Sequence, residues 1–231
     1  MNSSILVIAA AVVAFAAYRY SVEQNGQDTQ SNDSSVGAEL EAAANQAAGI
    51  LADTGQSAAA FVDNITGGFL KISSMAQVPR SAVNNANVQA FLKVIRRGEG
   101  TADAAGYSRL FGGAQFSGYA DHPRQVVKKS GYASSAAGAY QFISSTWDET
   151  RRVMQLADFS PANQDFGAVG RIAARGALED VIAGRFDMAI GKVAREWASM
   201  PGSPYGQPVI SLQTARTVYA DAGGVTSTYQ A

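Results

Sequence analysis

The chain has 231 residues and a net charge of −1, and charged residues make up only 16% of it. This length is sufficient for one sizeable domain with appendages, and the charge does not indicate nucleic-acid binding. The absence of cysteine and the single histidine exclude disulfides, thiolate catalysis and metal sites built from several Cys or His ligands. We therefore expect any catalysis to use carboxylates, hydroxyls or amides, without a metal or other cofactor.

The N-terminal segment is strongly apolar. Residues 5–18 contain no polar side chain except the tyrosine that ends the run, and the first charge is Arg19. A helix over residues 1–18 would span roughly 27 Å at about 1.5 Å per residue, close to the ~30 Å hydrocarbon core of a bilayer. A membrane anchor, a cleavable secretion signal and a buried core helix are the three interpretations. No Lys or Arg precedes the run, so a single-pass anchor over residues 1–20 is favoured.

Residues 21–80 have the composition of a linker. The first part, residues 21–35, is rich in Gln, Asn, Ser and Asp and has too few apolar residues to fold alone. Residues 36–77 are rich in Ala and Gly with scattered apolar residues, which fits either a spacer or a segment that docks on a partner. Because glycines interrupt each apolar face, the spacer is favoured, and Pro79 closes it.

A folded domain is predicted over residues 81–231, which carry a net charge of +3. Val88, Phe91, Leu92 and Ile95 have the spacing of one helix face, and this helix runs into glycines on both sides of Glu99. A carboxylate at a helix C-terminus is disfavoured by the helix dipole, so its pKa is expected to be raised, as a general acid requires. The alternative is a solvated glutamate without a function.

The remaining elements give an α+β domain that is mostly helical. Glycine and aromatic residues over 106–119 favour a small hairpin or a three-stranded sheet. A helical stretch around Trp147 follows, and Ser160 and Pro161 are typical of a helix start, as cap and first residue. Later helices are predicted over 162–175, 177–183, 187–198 and 208–222.

A series of short motifs in this domain resembles the endolysin family of bacteriophage lambda over residues 88–224. In chain order they are GEGT (98–101), GY (106–107), GYxDHPR (118–124), AAGAYQF (136–142), W (147), DFSPxNQD (158–165), RGAL (175–178), EWASxPG (196–202) and YGQ (205–207). The resemblance implies a two-lobed lysozyme-like domain that cleaves the glycan strands of peptidoglycan in a groove between the lobes. The segment between Thr101 and Gly106 is shorter than in the family, which implies a change at one end of the groove.

The resemblance further implies a lytic transglycosylase with Glu99 as its one acid/base catalyst. In such enzymes the acid protonates the glycosidic oxygen, and the C6 hydroxyl of the N-acetylmuramic acid attacks its own anomeric carbon to form a 1,6-anhydro sugar. One carboxylate suffices because the nucleophile belongs to the substrate, whereas hydrolysing glycosidases use a pair. A hydrolysing muramidase is the alternative.

Five residues in the family motifs are candidates for contact with the glycan. Each has a structural alternative as a core or packing residue. They are Tyr119, Tyr140, Gln141, Gln164 and Tyr205.

Asp121 is the rival for a second catalytic carboxylate. Because it precedes His-Pro, a turn stabilised by pairing with Arg124 is the simpler interpretation. His122 is likewise interpreted as structural, and Trp147 and Trp197 as core residues instead of sugar platforms.

The anchor and the resemblance together predict a phage enzyme whose partners are peptidoglycan, a membrane through residues 5–18 and other virion proteins. It would lie in a virion or its internal membrane and cut the wall at genome entry. One alternative is a host-lysis endolysin on the inner membrane that faces the periplasm. Another is a virion membrane protein whose lysozyme-like domain is inactive.

Overall fold

The computed structural model describes residues 72–129 and 131–227. Within them a helical segment (72–76) is followed by six α-helices, two 3-10 helices and one two-stranded sheet. The α-helices are α1 (Ala86–Gly98), α2 (Ser144–Met154), α3 (Pro161–Ala174), α4 (Leu178–Ile182), α5 (Phe186–Val193) and α6 (Leu212–Asp221). The 3-10 helices are Arg80–Asn84 and Ala104–Ser108, and the strands are β1 (Val127–Lys129) and β2 (Tyr132–Ser134).

The predicted anchor (1–20) and the linker up to residue 71 lie outside the described residues. No helix among the described residues is long and apolar enough to cross a membrane. The described part of the predicted linker contributes to the core, since Met75 and Val78 are buried in the same hydrophobic cluster as α1 and α3. Arg80 adds a stacking contact, with its guanidinium carbon 4.7 Å from the centre of the Phe166 ring.

Helix α1 confirms the helix predicted from residue 88. Asn85 is its N-cap: the Asn85 side chain accepts a hydrogen bond from the Val88 backbone N–H at 3.2 Å. The four residues of the apolar stripe are all at most 5% exposed. Helices α3, α4 and α6 all contact α1, so the helix that leads to Glu99 is held on more than one side.

The small sheet lies further along the chain than predicted. Strands β1 and β2 pair antiparallel with Lys128 opposite Ala133, whereas residues 104–119 form a 3-10 helix and an isolated bridge between Arg109 and Gln115. Residues 106–119 form no strand, so the three-stranded sheet was wrong. The hairpin alternative is met in part, because the Leu110 N–H donates to the Ala114 carbonyl and the Phe116 N–H donates to the Ser108 carbonyl. The turn that does form contains Gly131 at φ +82°, a conformation that glycine adopts without strain.

The helices after residue 140 follow the predicted order. Helix α3 begins at Pro161 as expected, but Ser160 makes no side-chain cap. Asp158 fixes the turn before the helix instead: its Oδ1 accepts hydrogen bonds from the Ser160 backbone N–H and from the Asn163 side-chain amide. Trp147 is fully buried, with its ring centre 4.6 Å from that of Phe159, which confirms it as a core residue.

Candidate active site

Glu99 is the C-cap residue of α1. The helix ends in a Schellman motif: Gly100 has φ +69°, the Thr101 N–H donates to the Arg96 carbonyl, and the Gly100 N–H donates to that of Arg97. This ending turns the chain sharply after the last helical residue. The Glu99 side chain is partly buried, and the Ser199 hydroxyl donates a hydrogen bond to its Oε1 at 2.6 Å.

Burial raises the pKa of the Glu99 carboxyl above its usual value, because a charged carboxylate loses favourable contacts with water there. The hydrogen bond from Ser199 acts in the opposite direction and is the weaker influence. A raised pKa was predicted from the helix dipole, and the structure identifies burial as the larger cause. A carboxyl group of this kind keeps its proton to a higher pH than an exposed glutamate, as a general acid requires.

Gly98 permits the close approach between α1 and the segment that carries Ser199. A Cβ atom at Gly98 would lie 2.6 Å from the Ser199 Oγ and 2.2 Å from the Met200 methyl group. Met200 is fully buried, so its side chain has little room to move aside. The glycine before Glu99 is therefore required for packing, and its backbone does not need a positive φ.

The loop after Glu99 is fixed by hydrogen bonds. Arg96 donates from Nε and Nη2 to the Thr101 carbonyl at 3.1 and 2.9 Å, and from Nη2 to the Asp103 carbonyl at 2.6 Å. The Thr101 hydroxyl is fully buried and donates to the Ala139 carbonyl at 2.5 Å. These contacts connect the GEGT motif to the AAGAYQF motif, so the backbone on the far side of Glu99 is held in place.

The short segment after Thr101 is compact. It forms the 3-10 helix Ala104–Ser108, and a Cβ at Gly106 would lie 2.0 Å from the Thr101 carbonyl oxygen. Arg109 closes the loop from outside, with bonds to the Gly100 carbonyl and to both carboxylate oxygens of Asp103.

Two of the five predicted glycan-binding residues are buried. Tyr140 is 2% exposed, and its hydroxyl donates to the Asp165 carboxylate at 2.6 Å. Gln164 is fully buried: its Oε1 accepts from the Ala139 N–H, and its Nε2 donates to the carbonyls of Tyr107 and Phe159. Because its donors and acceptor are used within the protein, Gln164 supports the 138–140 turn instead of facing a ligand.

The other three are more accessible. Gln141 is partly exposed in a left-handed conformation (φ +49°), and its Nε2 donates to the carbonyls of Arg109 and Gly138. Tyr119 is partly exposed and packs edge-on against Phe116 at 5.8 Å between ring centres. Tyr205 is 55% exposed and lies in the same loop as Ser199, which makes it the most accessible of the five.

Asp121 is held in a turn, as predicted. Its Oδ1 accepts from the His122 backbone N–H and from Trp147 Nε1, and its carboxylate pairs with Arg124 and Arg151. Partial burial acts to raise the pKa of the Asp121 carboxyl. The hydrogen bonds outweigh this effect and hold the pKa below its usual value. Asp121 is therefore ionised and committed to the fold.

His122 is a buried structural residue. Its Nδ1 accepts from the Arg124 backbone N–H, so the proton is on Nε2, which donates to the Phe142 carbonyl at 2.8 Å. Burial lowers its pKa, so the ring is neutral near pH 7. The second tryptophan, Trp197, is 5% exposed and donates to the Tyr140 carbonyl, a core position as predicted.

Three residues that shape the site were not predicted: Ser199, Arg96 and Asp165. Ser199 is separated from Glu99 by 100 positions, and nothing local in the sequence indicates their contact. Asp165 accepts from Tyr107 at 2.8 Å as well as from Tyr140, and its pKa is raised by burial. The available signals were two family motifs, since Ser199 lies in EWASxPG and Asp165 in DFSPxNQD, whereas Arg96 lies in none.

Residues 89–226 match the family model described as Endolysin. The chain is 39% identical over 155 residues to an endolysin of Escherichia phage P2, covering 60% of this chain and 94% of that protein. It is 37% identical over 149 residues to an endolysin of Escherichia phage lambda, covering 62% of this chain and 94% of that protein.

Solved structures agree. Bacteriophage lambda lysozyme in complex with a chitohexasaccharide is similar with a TM-score of 0.59 and 35% sequence identity, covering 62% of this chain and 97% of that one. Another structure of lysozyme from bacteriophage lambda has a TM-score of 0.55 at 35% identity. The described domain thus has a lambda-lysozyme-like fold, mostly helical with a small two-stranded sheet.

Proposed function

The chain belongs to the endolysin family, and from this premise we propose that it is a lytic transglycosylase that cleaves the glycan strands of peptidoglycan. The observation that carries the proposal is Glu99: a partly buried carboxyl group with a raised pKa, hydrogen-bonded to a hydroxyl instead of a cation. A group in this environment keeps its proton to a higher pH than an exposed glutamate does, which suits a general acid.

In the first step Glu99 donates its proton to the glycosidic oxygen between N-acetylmuramic acid and N-acetylglucosamine. The C1–O bond breaks, and the departing sugar leaves with a free hydroxyl group. In the second step the C6 hydroxyl of the muramic acid attacks C1, and the Glu99 carboxylate takes the proton of that hydroxyl. The 1,6-anhydro bond forms, and the catalyst returns to its starting protonation state.

Ser199 is suited to both steps. A hydroxyl group can donate to a carboxylate and accept from a carboxylic acid, so it contacts Glu99 in either protonation state. A cation at 2.6 Å would instead stabilise the carboxylate alone and would lower its pKa. The serine therefore orients the side chain without removing its acidity.

Transglycosylation is favoured over hydrolysis by the state of Asp121. A retaining or inverting hydrolase needs a second carboxylate free to act as nucleophile or base. Asp121, the rival candidate, is bound to Arg124, Arg151 and the Trp147 N–H. The substrate's own hydroxyl then supplies the nucleophile.

Tyr205 and Gln141 are proposed as contacts to the glycan beside Glu99. Tyr205 offers an exposed ring in the loop that also carries Ser199, a suitable surface for stacking on a sugar. The Gln141 amide can bond the acetamido groups of the substrate. Tyr119 is proposed as a weaker contact at the rim.

Product chemistry tests the mechanism. The full-length protein is incubated with purified sacculi in water enriched in heavy oxygen, and the fragments are analysed by mass spectrometry. We expect fragments with 1,6-anhydromuramic ends and without the label. Labelled reducing ends would show a hydrolysing muramidase, and the absence of fragments would favour the inactive structural protein. The matched control Glu99→Gln should release fragments at least about 10²-fold more slowly.

We further propose that residues 1–20 anchor the enzyme to a membrane and that it acts in a phage virion at genome entry. The proposal is supported by the apolar run before Arg19 and by the phage origin of the relatives. The full chain should remain with the membrane fraction in carbonate, whereas a version starting at Ser21 should be released. Release of both would contradict the anchor.

Host lysis is the second candidate role, favoured because both relatives are named endolysins. The two roles differ in where the protein is found. Quantitative immunoblots of purified virions should detect it under the virion proposal. Its confinement to the host inner membrane late in infection would instead show a lysis enzyme facing the periplasm.

A further inference from the structure

A cavity of about 320 Å³ lies between α1 and α6, outside the Glu99–Ser199 contact. Three cationic side chains and one carboxylate line it together with small apolar groups. The lining residues are Lys93, Arg96, Arg97, Ala102, Val218, Asp221 and Ala222. With one negative group, Asp221, against three positive ones, the cavity has an excess of positive charge.

Two of these cations are not used by the fold. Lys93 and Arg97 are exposed and lie four residues apart, on the same face of α1. Within residues 72–129 and 131–227 neither has an ion-pair partner, although Asp221 lines the same cavity. Arg96 differs, because its guanidinium is bonded to the Thr101 and Asp103 carbonyls. The cavity thus combines one fixed and two available positive charges, an arrangement suited to an anion.

The cavity lies close to the catalytic residue along the chain. Arg97 precedes Glu99 by two residues, and Ala102 follows it by three. Lys93 and Glu99 are about 9 Å apart along the helix axis at ~1.5 Å per residue. An extended peptide of four residues reaches roughly 13 Å. The rise along α1 between Lys93 and Glu99 is therefore shorter than the reach of a short peptide attached to a sugar near Glu99.

We propose that this α1–α6 cavity binds the free carboxylates of the stem peptides that are attached to the muramic acid of peptidoglycan, through Lys93 and Arg97. The inference rests on the proposed function, since it assigns the cavity to another part of the same substrate. Bound stem peptides hold the strand beside Glu99 and direct cleavage to peptide-bearing segments of the wall. The charged contacts strengthen substrate binding and leave the chemical step unchanged.

The test compares the full-length protein with the double variant Lys93→Gln/Arg97→Gln on three substrates. These are glycan strands with stem peptides, strands from which an amidase has removed the peptides, and peptide-bearing strands whose carboxylates have been amidated. Arg152→Gln, an exposed arginine on α2, is the control for the loss of a surface charge. Since both altered side chains are exposed, thermal unfolding should be unchanged.

We expect kcat/KM of the double variant to fall about tenfold on the peptide-bearing strands, since exposed ion pairs are worth up to about fivefold each. On peptide-free and on amidated strands it should match the wild type. An equal fall on all three substrates would overturn the inference, as would an unchanged rate on the first. A fall that persists on amidated strands would show that the peptide, and not its carboxylates, is bound.

A binding measurement separates this inference from the catalytic proposal. A soluble stem peptide with free carboxylates is titrated into each protein, and its effect on the amide NMR signals is followed. Binding to the wild type that weakens in the double variant supports the cavity even if no strand is cleaved. Equal binding to both proteins would overturn it, whatever the catalytic result.

Discussion

The end of α1 and the turn that contains Asp121 present the same functional group in opposite environments. Glu99 is partly buried, contacts the Ser199 hydroxyl and has a raised pKa. Asp121 is more exposed, contacts two arginines and two N–H donors, and has a lowered pKa. Both residues lie in motifs of the same family, so the residue type does not separate them. The environment does.

The difference shows how one chain divides structural and catalytic tasks. Cations and N–H donors stabilise the ionised form of a carboxylate, which strengthens the turn and removes its use as an acid. Burial without a cation destabilises the ionised form, which costs stability and preserves the proton for transfer. The four predictions below test this division.

The largest expected effect is on catalysis. Glu99→Gln keeps the shape of the side chain but has no transferable proton, so kcat should fall by about 10²- to 10⁴-fold or more. Asp121→Asn should retain most of the wild-type kcat for the fraction of protein that is folded. Rates of fragment release from sacculi, corrected by circular dichroism for the folded fraction, provide the measurement. A comparable fall in kcat for both variants would contradict the division.

The free energy of unfolding should respond in the opposite way, because it is the change at Asp121 that should destabilise the protein. Asp121→Asn at pH 7 should lower the free energy of unfolding by about 1–2 kcal/mol, because it weakens charge-assisted hydrogen bonds to Arg124, Arg151 and the Trp147 N–H. Since the folded-state pKa of Asp121 lies below its unfolded value, this contribution is present above the unfolded pKa. It is lost as pH falls through the folded pKa. Urea unfolding at pH 7 and in acid should therefore show the cost of Asp121→Asn shrinking in acid.

The contribution of Glu99 to stability should change with pH in the opposite direction to that of Asp121. Its folded-state pKa is raised, so the folded protein holds this proton more tightly than the unfolded chain. Stability is therefore lost as pH rises from the unfolded value of 4.5 through the folded pKa. Glu99→Gln removes this loss, so the variant should be more stable than the wild type at pH 7, by a margin that disappears in acid. A variant that is less stable at pH 7 would show that Glu99 is favourably paired.

The local parts of this comparison could be predicted from the sequence and the long-range parts could not. Helix α1, its glycine ending and the position of Glu99 follow from residue spacing and cap chemistry within about four residues. The turn at Asp121 is local in the same way. The sheet was placed too early because glycines and aromatics occur both in strands and in irregular loops.

The family motifs did not distinguish residues that face a ligand from residues that support the site. Gln164 belongs to such a motif, yet its side-chain amide makes three hydrogen bonds to backbone groups. No residue spacing predicts these bonds. Tyr140 likewise contacts Asp165, which is 25 positions away. The Ser199 contact spans 100 positions and depends on the packing around Gly98.

The smallest predicted effect concerns Ser199, and it tests whether this residue positions the acid. The Ser199 hydroxyl lowers the pKa of Glu99 against the larger effect of burial. Removing it in Ser199→Ala should raise the pKa of Glu99 further, so the alkaline limb of the kcat/KM profile should move to higher pH. The loss of one hydrogen bond should also lower kcat by about threefold to tenfold, since the side chain is less well oriented.

A matched control lies in the same loop. The Ser203 Oγ is buried and has no hydrogen-bond partner within the described part of the chain, so Ser203→Ala removes a hydroxyl that does not contact Glu99. Its pH profile should coincide with that of the wild type. Ser199→Thr keeps the hydroxyl. Its alkaline limb should lie at the wild-type pH if the larger side chain is accommodated beside Gly98. If Ser199→Ala changes stability but leaves the limb where it is, Ser199 only packs against α1, and burial alone sets the acidity of Glu99.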